Sequence, residues 1–196
     1  MNPLDSVRGT IVAGVVLAIV IAVITGGVGL NLNELSLIIW LHVLSGITWI
    51  GLLYYFNFVQ VPALAEAASD EGGPGGAGIT KYVAPRALWW FRWGAVFTWL
   101  TGAAYLLRLG ILDDAFMLTS SGYVIGVGAW LGTVMLFNVW VLIWPNQKKI
   151  LGLVEASAEE IGKARRVAFL ASRTNTLLSI PMLMSMVGYG HAGFFL

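Results

Sequence analysis

His42 and His191 are the only histidines of the chain, and both stand in apolar surroundings, LHVLSGITWIG and SMVGYGHAG. Ionisable groups within apolar segments are rare and costly, so each marks either a buried polar tie or a site with chemistry. His42 is followed by Ser45 and Gly46 at helical spacing, and His191 has Gly188 three residues before it and Gly190 beside it. Small residues so placed let another helix, or the edge of a flat macrocycle, approach the ring closely. Two readings stay open. Each imidazole hydrogen-bonds across a helix bundle, or the pair serves as the axial ligands of a non-covalently held haem b. Cysteine is absent, which removes disulfides, thiolate-ligated clusters and covalent CxxCH attachment. The sulfurs of PMLMSM, residues 181–186, follow one another two residues apart, on different helix faces, and read as packing around Pro181 rather than as a copper site.

A second set of side chains combines amides with guanidiniums: Asn57, Gln60, Arg92, Asn138, Arg173 and Asn175. All fall within about two helical turns of one boundary of their segments. No carboxylate lies at that depth. A cation in hydrocarbon needs a partner or water, so the layer is either hydrogen-bonded glue with outward-reaching arginines or a pocket for an anion, a substrate or a cofactor carboxylate. Asn57 lies roughly 22 Å along a helix from His42, so the two groups are separate sites.

The elements that must position these residues are read from composition. Of 196 residues, 58% are apolar and 11% charged, too apolar for a soluble domain. Hydrophobic windows near 10–30, 36–62, 87–109, 122–145 and 167–193 each reach the ~20 residues that cross a hydrocarbon core. Backbone groups in lipid are satisfied only in helices or closed barrels, and these runs are too long and too uniformly apolar for barrel strands. The expected fold is therefore all-α, a single transmembrane domain of five helices. Arg8 precedes the first window, whose length exceeds a signal-peptide core and which lacks a cleavage pattern, so it is read as a retained span.

Orientation follows from the bases. Of the eleven Lys and Arg, only Arg108 falls on the face opposite the N-terminus. The positive-inside rule then puts the N-terminus in the cytoplasm and the C-terminus outside, in a bacterial cytoplasmic membrane. His42 enters about 9 Å below the outer face and His191 about 7 Å, at similar depth. Residues 65–80, rich in Gly, Ala and acid, are expected to form a flexible cytoplasmic loop. Residues 155–166, acids first and bases last, are expected to form a short interfacial helix. Trp89, Trp90, Trp93 and Trp144 read as an aromatic belt.

The stretches LHVLSGITWIGLLYYFNF, KYVAPRALWWFRWGAVFTWLTG, VGAWLGTVMLFNVWVLIWPNQKKI and TNTLLSIPMLMSM, in this order, resemble the N-terminal membrane domain of bacterial membrane-bound urate oxidases. The resemblance spans roughly residues 37–192, and WPNQKK is its most specific piece. It implies family-type positions at His42, Asn138, Asn146, Gln147, Asn175 and His191. It also implies a link to urate oxidation, with electrons passing to a cytochrome c domain outside the membrane. The family pattern has further histidines where this chain has Gly126 and, approximately, Thr174. No CxxCH occurs here, so electrons are expected to leave to a separate cytochrome or other membrane subunit.

The expectation is a membrane redox protein with haem b on His42 and His191, and with Arg92 and Arg173 facing an anion. The rival is a non-catalytic membrane scaffold that has lost the family's active site. An ion or copper transporter is disfavoured by the gap between the two polar groups. Membrane lipid is an expected partner and nucleic acid is not.

Overall fold

The computed structural model describes residues 2–26, 33–119 and 122–191; the ends of the first and fifth expected spans, 27–30 and 192–193, lie outside them. Contacts divide the chain into two units, Met1–Leu37 and Ile38–Leu196. The regular elements among the described residues are all helical, without a strand. In the first unit the short turn Pro3–Asp5 is capped by the Asn2 side chain, which accepts from the Leu4 amide at 2.9 Å. Helix α1, Val7–Gly26, follows and is apolar on every face.

The helix α2, Glu34–Ser69, is continuous over 36 residues and carries the chain into the second unit. There, α3 is Ala84–Leu109, α4 the short Leu112–Met117, α5 Tyr123–Ile150 and α6 Ala158–Gly190. Among the described residues, three helices are long and apolar enough to cross a membrane: Val7–Thr25 of α1, α2 and α5. Helices α3, with 26 residues, and α6, with 33, span about 39 and 50 Å at 1.5 Å per residue. Tryptophans and Arg92 dilute the apolar character of α3, as a polar stripe and a charged start do for α6.

Two expectations are corrected. Residues 65–69 are the last turns of α2, so the connector is shorter than expected; glycines with positive φ, Gly72 at 86° and Gly75 at 65°, turn it. Residues 158–166 form no separate helix but are the first turns of α6, because nothing between Ser157 and Pro181 breaks it and a buried line of Ala164, Ala168 and Ala171 runs straight through.

Wide turns recur before prolines. The amides of Val61, Ala84 and Trp144 reach back five residues, to the carbonyls of Phe56, Ile79 and Val139. Each stands immediately before Pro62, Pro85 or Pro145. Proline has no N–H, and its ring collides with the carbonyl four residues back; widening to a π-turn relieves both. Asn57, Gln60 and Asn138 lie in two of these turns, Tyr55–Gln60 and Asn138–Ile143, and all three are buried.

The core is built where α2, α3, α5 and α6 meet, from Trp49, Leu53, Phe91, Met135, Val139 and Met182 among others. Close approach depends on glycine. A Cβ on Gly94 would lie 3.2 Å from the Trp49 amide nitrogen, and one on Gly128 would lie 2.9 Å from Ser185 Oγ. A smaller cluster, Leu106, Ala115 and Ile125, seats α4 against α3 and α5.

Candidate functional site

His42 is half-buried on α2 and turns toward α3. Its Nδ1 lies 2.9 Å from the Thr98 carbonyl oxygen and 3.3 Å from the Thr101 hydroxyl. A carbonyl only accepts, so Nδ1 carries the proton and Nε2 keeps its lone pair. The ring rests on Gly102, where a Cβ would come within 2.9 Å of Cε1. His191 closes α6 and is exposed; its Nδ1 lies 3.1 Å from the Val187 carbonyl oxygen, which again leaves Nε2 as the nitrogen with the lone pair.

Two hydrogen bonds align the helices that carry these rings. The Tyr54 hydroxyl meets Ser179 Oγ at 3.0 Å, and Asn57 Nδ2 donates to Ser172 Oγ at 2.8 Å. Numbers rise on α2 as they fall on α6, so the helices are antiparallel. His42 is twelve residues from Tyr54, and His191 twelve from Ser179, so both rings stand about 18 Å from that bond at the same end. The side chains share no hydrogen-bond partner: His42 is tied to α3 and His191 to its own turn.

The amide and guanidinium layer resolves into separate contacts. Asn138 Nδ2 donates to Asn175 Oδ1 at 2.8 Å, and Asn175 Nδ2 donates to the Met135 carbonyl at 3.0 Å. Asn57 also donates to the Leu53 carbonyl at 2.8 Å. Arg92 is buried; Nε donates to the Leu88 carbonyl at 3.1 Å, and the guanidinium stacks 3.2 Å from the centre of the Trp144 ring, with Trp140 at 5.6 Å. Aromatic faces thus meet a charge for which no carboxylate lies at hand. Arg173 is exposed, 5.3 Å over Phe169. Trp89, Trp90 and Trp93 are exposed, whereas Trp144 is taken up by Arg92.

Sequence reasoning missed a chamber of about 700 Å³ at this end of the second unit. Asn57, Gln60, Gln147, Arg165, Arg166 and Ser172 supply its polar lining. Gln60 is 9% exposed, and its Oε1 has no hydrogen-bond partner among the described residues. The signal available in sequence was the pairing of Gln60 with an Arg165–Arg166 doublet at the same boundary.

Residues 111–195 match the family model described as Urate oxidase N-terminal. The resemblance read from WPNQKK and TNTLLSIPMLMSM thus holds over this part of the chain. The matched stretch contains α4, α5 and α6 with Asn138, Asn175 and His191, while His42, Asn57 and Arg92 precede it. No curated protein and no solved structure matches the chain. Within the matched stretch, Gly126 is closed in by the Ala115 carbonyl of α4. A histidine at this position would have no room in this chain.

Proposed function

We propose that the protein is a membrane redox protein of the urate oxidase N-terminal type. All of its long helices cross a bacterial cytoplasmic membrane, α1, α2, α3, α5 and α6, with the N-terminus inside and the C-terminus outside. The lengths of α3 and α6 and the concentration of bases at one end support this.

The observation that supports the redox reading is the like anchoring of two separate imidazoles. Both are anchored through Nδ1 to a backbone carbonyl, both keep Nε2 for a metal, and both stand at one height. Anchoring the second nitrogen is what orients a ligating histidine. Two imidazoles are the donor types that haem b takes; His42 and His191 would hold it, and it would supply one-electron chemistry when bound. The Thr98 carbonyl and Thr101 fix the His42 ring, and Gly102 admits it against α3. Electrons would leave to a separate cytochrome or membrane subunit.

The test is a reduced-minus-oxidised visible spectrum of the purified, haem-supplied protein beside His42→Ala and His191→Ala. A sharp b-type alpha band, lost in both variants, is expected. A featureless spectrum from folded protein would overturn the reading. It would leave the second one, a scaffold subunit without a redox centre, which the filled space at Gly126 favours.

A further inference from the structure

The chamber brings together three chemistries that the redox reading does not use. Gln60 is one of the lining residues, and its buried amide oxygen has no hydrogen-bond partner among the described residues, so a ligand that satisfies it must bring an O–H or N–H. Arg165 and Arg166 also line the chamber, and both are exposed. Their basic neighbours are neutralised: Lys163 by Glu159 at 2.6 Å, Lys149 by Glu160 at 3.7 Å. No acidic side chain pairs with Arg165 or Arg166 among the described residues. Most of the remaining lining is apolar, including Phe56, Val61, Leu64, Leu88, Phe91 and Ile143.

An unpaired guanidinium doublet asks for an anion, Gln60 asks for a donor, and the apolar wall asks for a hydrocarbon chain. The geometry points to an anionic phospholipid with a hydroxylated headgroup, of the phosphatidylglycerol class, bound in this chamber. Its phosphate meets Arg165 and Arg166, its headgroup hydroxyl donates to Gln60 Oε1, and an acyl chain lies along Phe56, Val61 and Leu64. The ammonium of a choline headgroup would face the arginine doublet and offer Gln60 no donor. The chamber also sits where such a lipid is plentiful. With the embedding proposed above, the exposed Trp89 and Trp90 at the start of α3 lie at the interfacial level, and basic clusters beside a span attract anionic lipid. This inference rests on the membrane embedding proposed above and is independent of haem, so either can fail alone.

The test is native mass spectrometry of the detergent-solubilised protein titrated with phosphatidylglycerol, phosphatidylcholine and phosphatidylethanol. The last has the same charge as phosphatidylglycerol but no headgroup hydroxyl, so the wild-type protein alone provides a discriminating comparison. Phosphatidylglycerol is expected to bind about tenfold tighter than phosphatidylethanol, as one added hydrogen bond gives, and tighter again than phosphatidylcholine. Gln60→Leu should erase the first preference and keep the second. The Arg165→Gln, Arg166→Gln double variant should erase the second. Equal affinity for the three lipids would overturn the assignment, as would both preferences surviving in Gln60→Leu. Competition by soluble glycerophosphoglycerol at equal concentration would also overturn it, because the headgroup alone would then be the ligand.

Discussion

Asn138 on α5 and Asn175 on α6 are joined by a 2.8 Å hydrogen bond, and Asn175, fully buried, passes the chain on to the Met135 carbonyl. Each amide thus has its partner inside the core, where an unpaired one would cost about 1–3 kcal/mol. Asn175→Ala leaves Asn138 Nδ2 and the Met135 carbonyl without this partner and should destabilise by about that amount in a thermal or denaturant melt. Asn138→Ala added to it should cost less than its single effect, since the interaction is already gone. Strict additivity would show that the amides do not act as a unit.

Arg92 and Trp144 give a comparison whose order is informative. Trp144→Leu keeps the buried guanidinium and removes the ring on which it stacks. Arg92→Met removes the charge and keeps an apolar stem of similar reach. Breaking one partner of a buried charged interaction costs more than replacing the charge by a hydrophobe, so Trp144→Leu should lose about 2 kcal/mol or more and Arg92→Met about 1 or less. Unfolding midpoints of the two variants in one detergent check the order.

Acid should loosen the start of α6. The Ser157 amide donates to Glu160 Oε2 at 2.8 Å, the Glu160 amide donates to Ser157 Oγ at 3.2 Å, and Lys149 stands 3.7 Å away. The bond from the Ser157 backbone, then that from its side chain, then Lys149 hold the Glu160 carboxyl below the usual glutamate range. Because the folded value is depressed, the contribution is present above the unfolded value and lost as pH falls through the folded one. Glu160→Gln should therefore be less stable than wild type at neutral pH and equal to it in acid. A difference that persists unchanged to low pH would show that the carboxylate charge is not what matters.

Gly126 admits no side chain. An added Cβ would meet the Ala115 carbonyl and, at 2.9 Å, its carbon and a Leu118 methyl. Gly126→Ala should force α4 off α5 at a cost of about 1–3 kcal/mol. Faster proteolysis within residues 111–119, measured beside wild type, would report that displacement.

The helices were legible because apolar runs of this length have few other solutions. The position of the polar residues along their helices was legible for the same reason, since it is a matter of counting. Their partners were not. Sequence gives height but not azimuth, so Asn138 and Arg92 looked like one layer, whereas one is spent on Asn175 and the other on Trp144. The start of α6 misled because acids followed by bases resemble a complete short helix, and the alanine line that continues it carries no charge signal. The chamber is assembled from side chains on four helices, and Gln60 reaches it from within a turn that uninterrupted helical periodicity does not describe.

The wide turns before Pro62, Pro85 and Pro145 have a consequence for how such a bundle can change. Each inserts one residue's worth of rotation, about 100°, and so shifts the phase of everything beyond it. A single helix then carries two separately addressable faces. On α2, Trp49 and Leu53 key into the core ahead of the shift, while Val61 and Leu64 line the chamber after it. Substitutions beyond the proline can remodel the chamber while the packing register ahead of it stays in place.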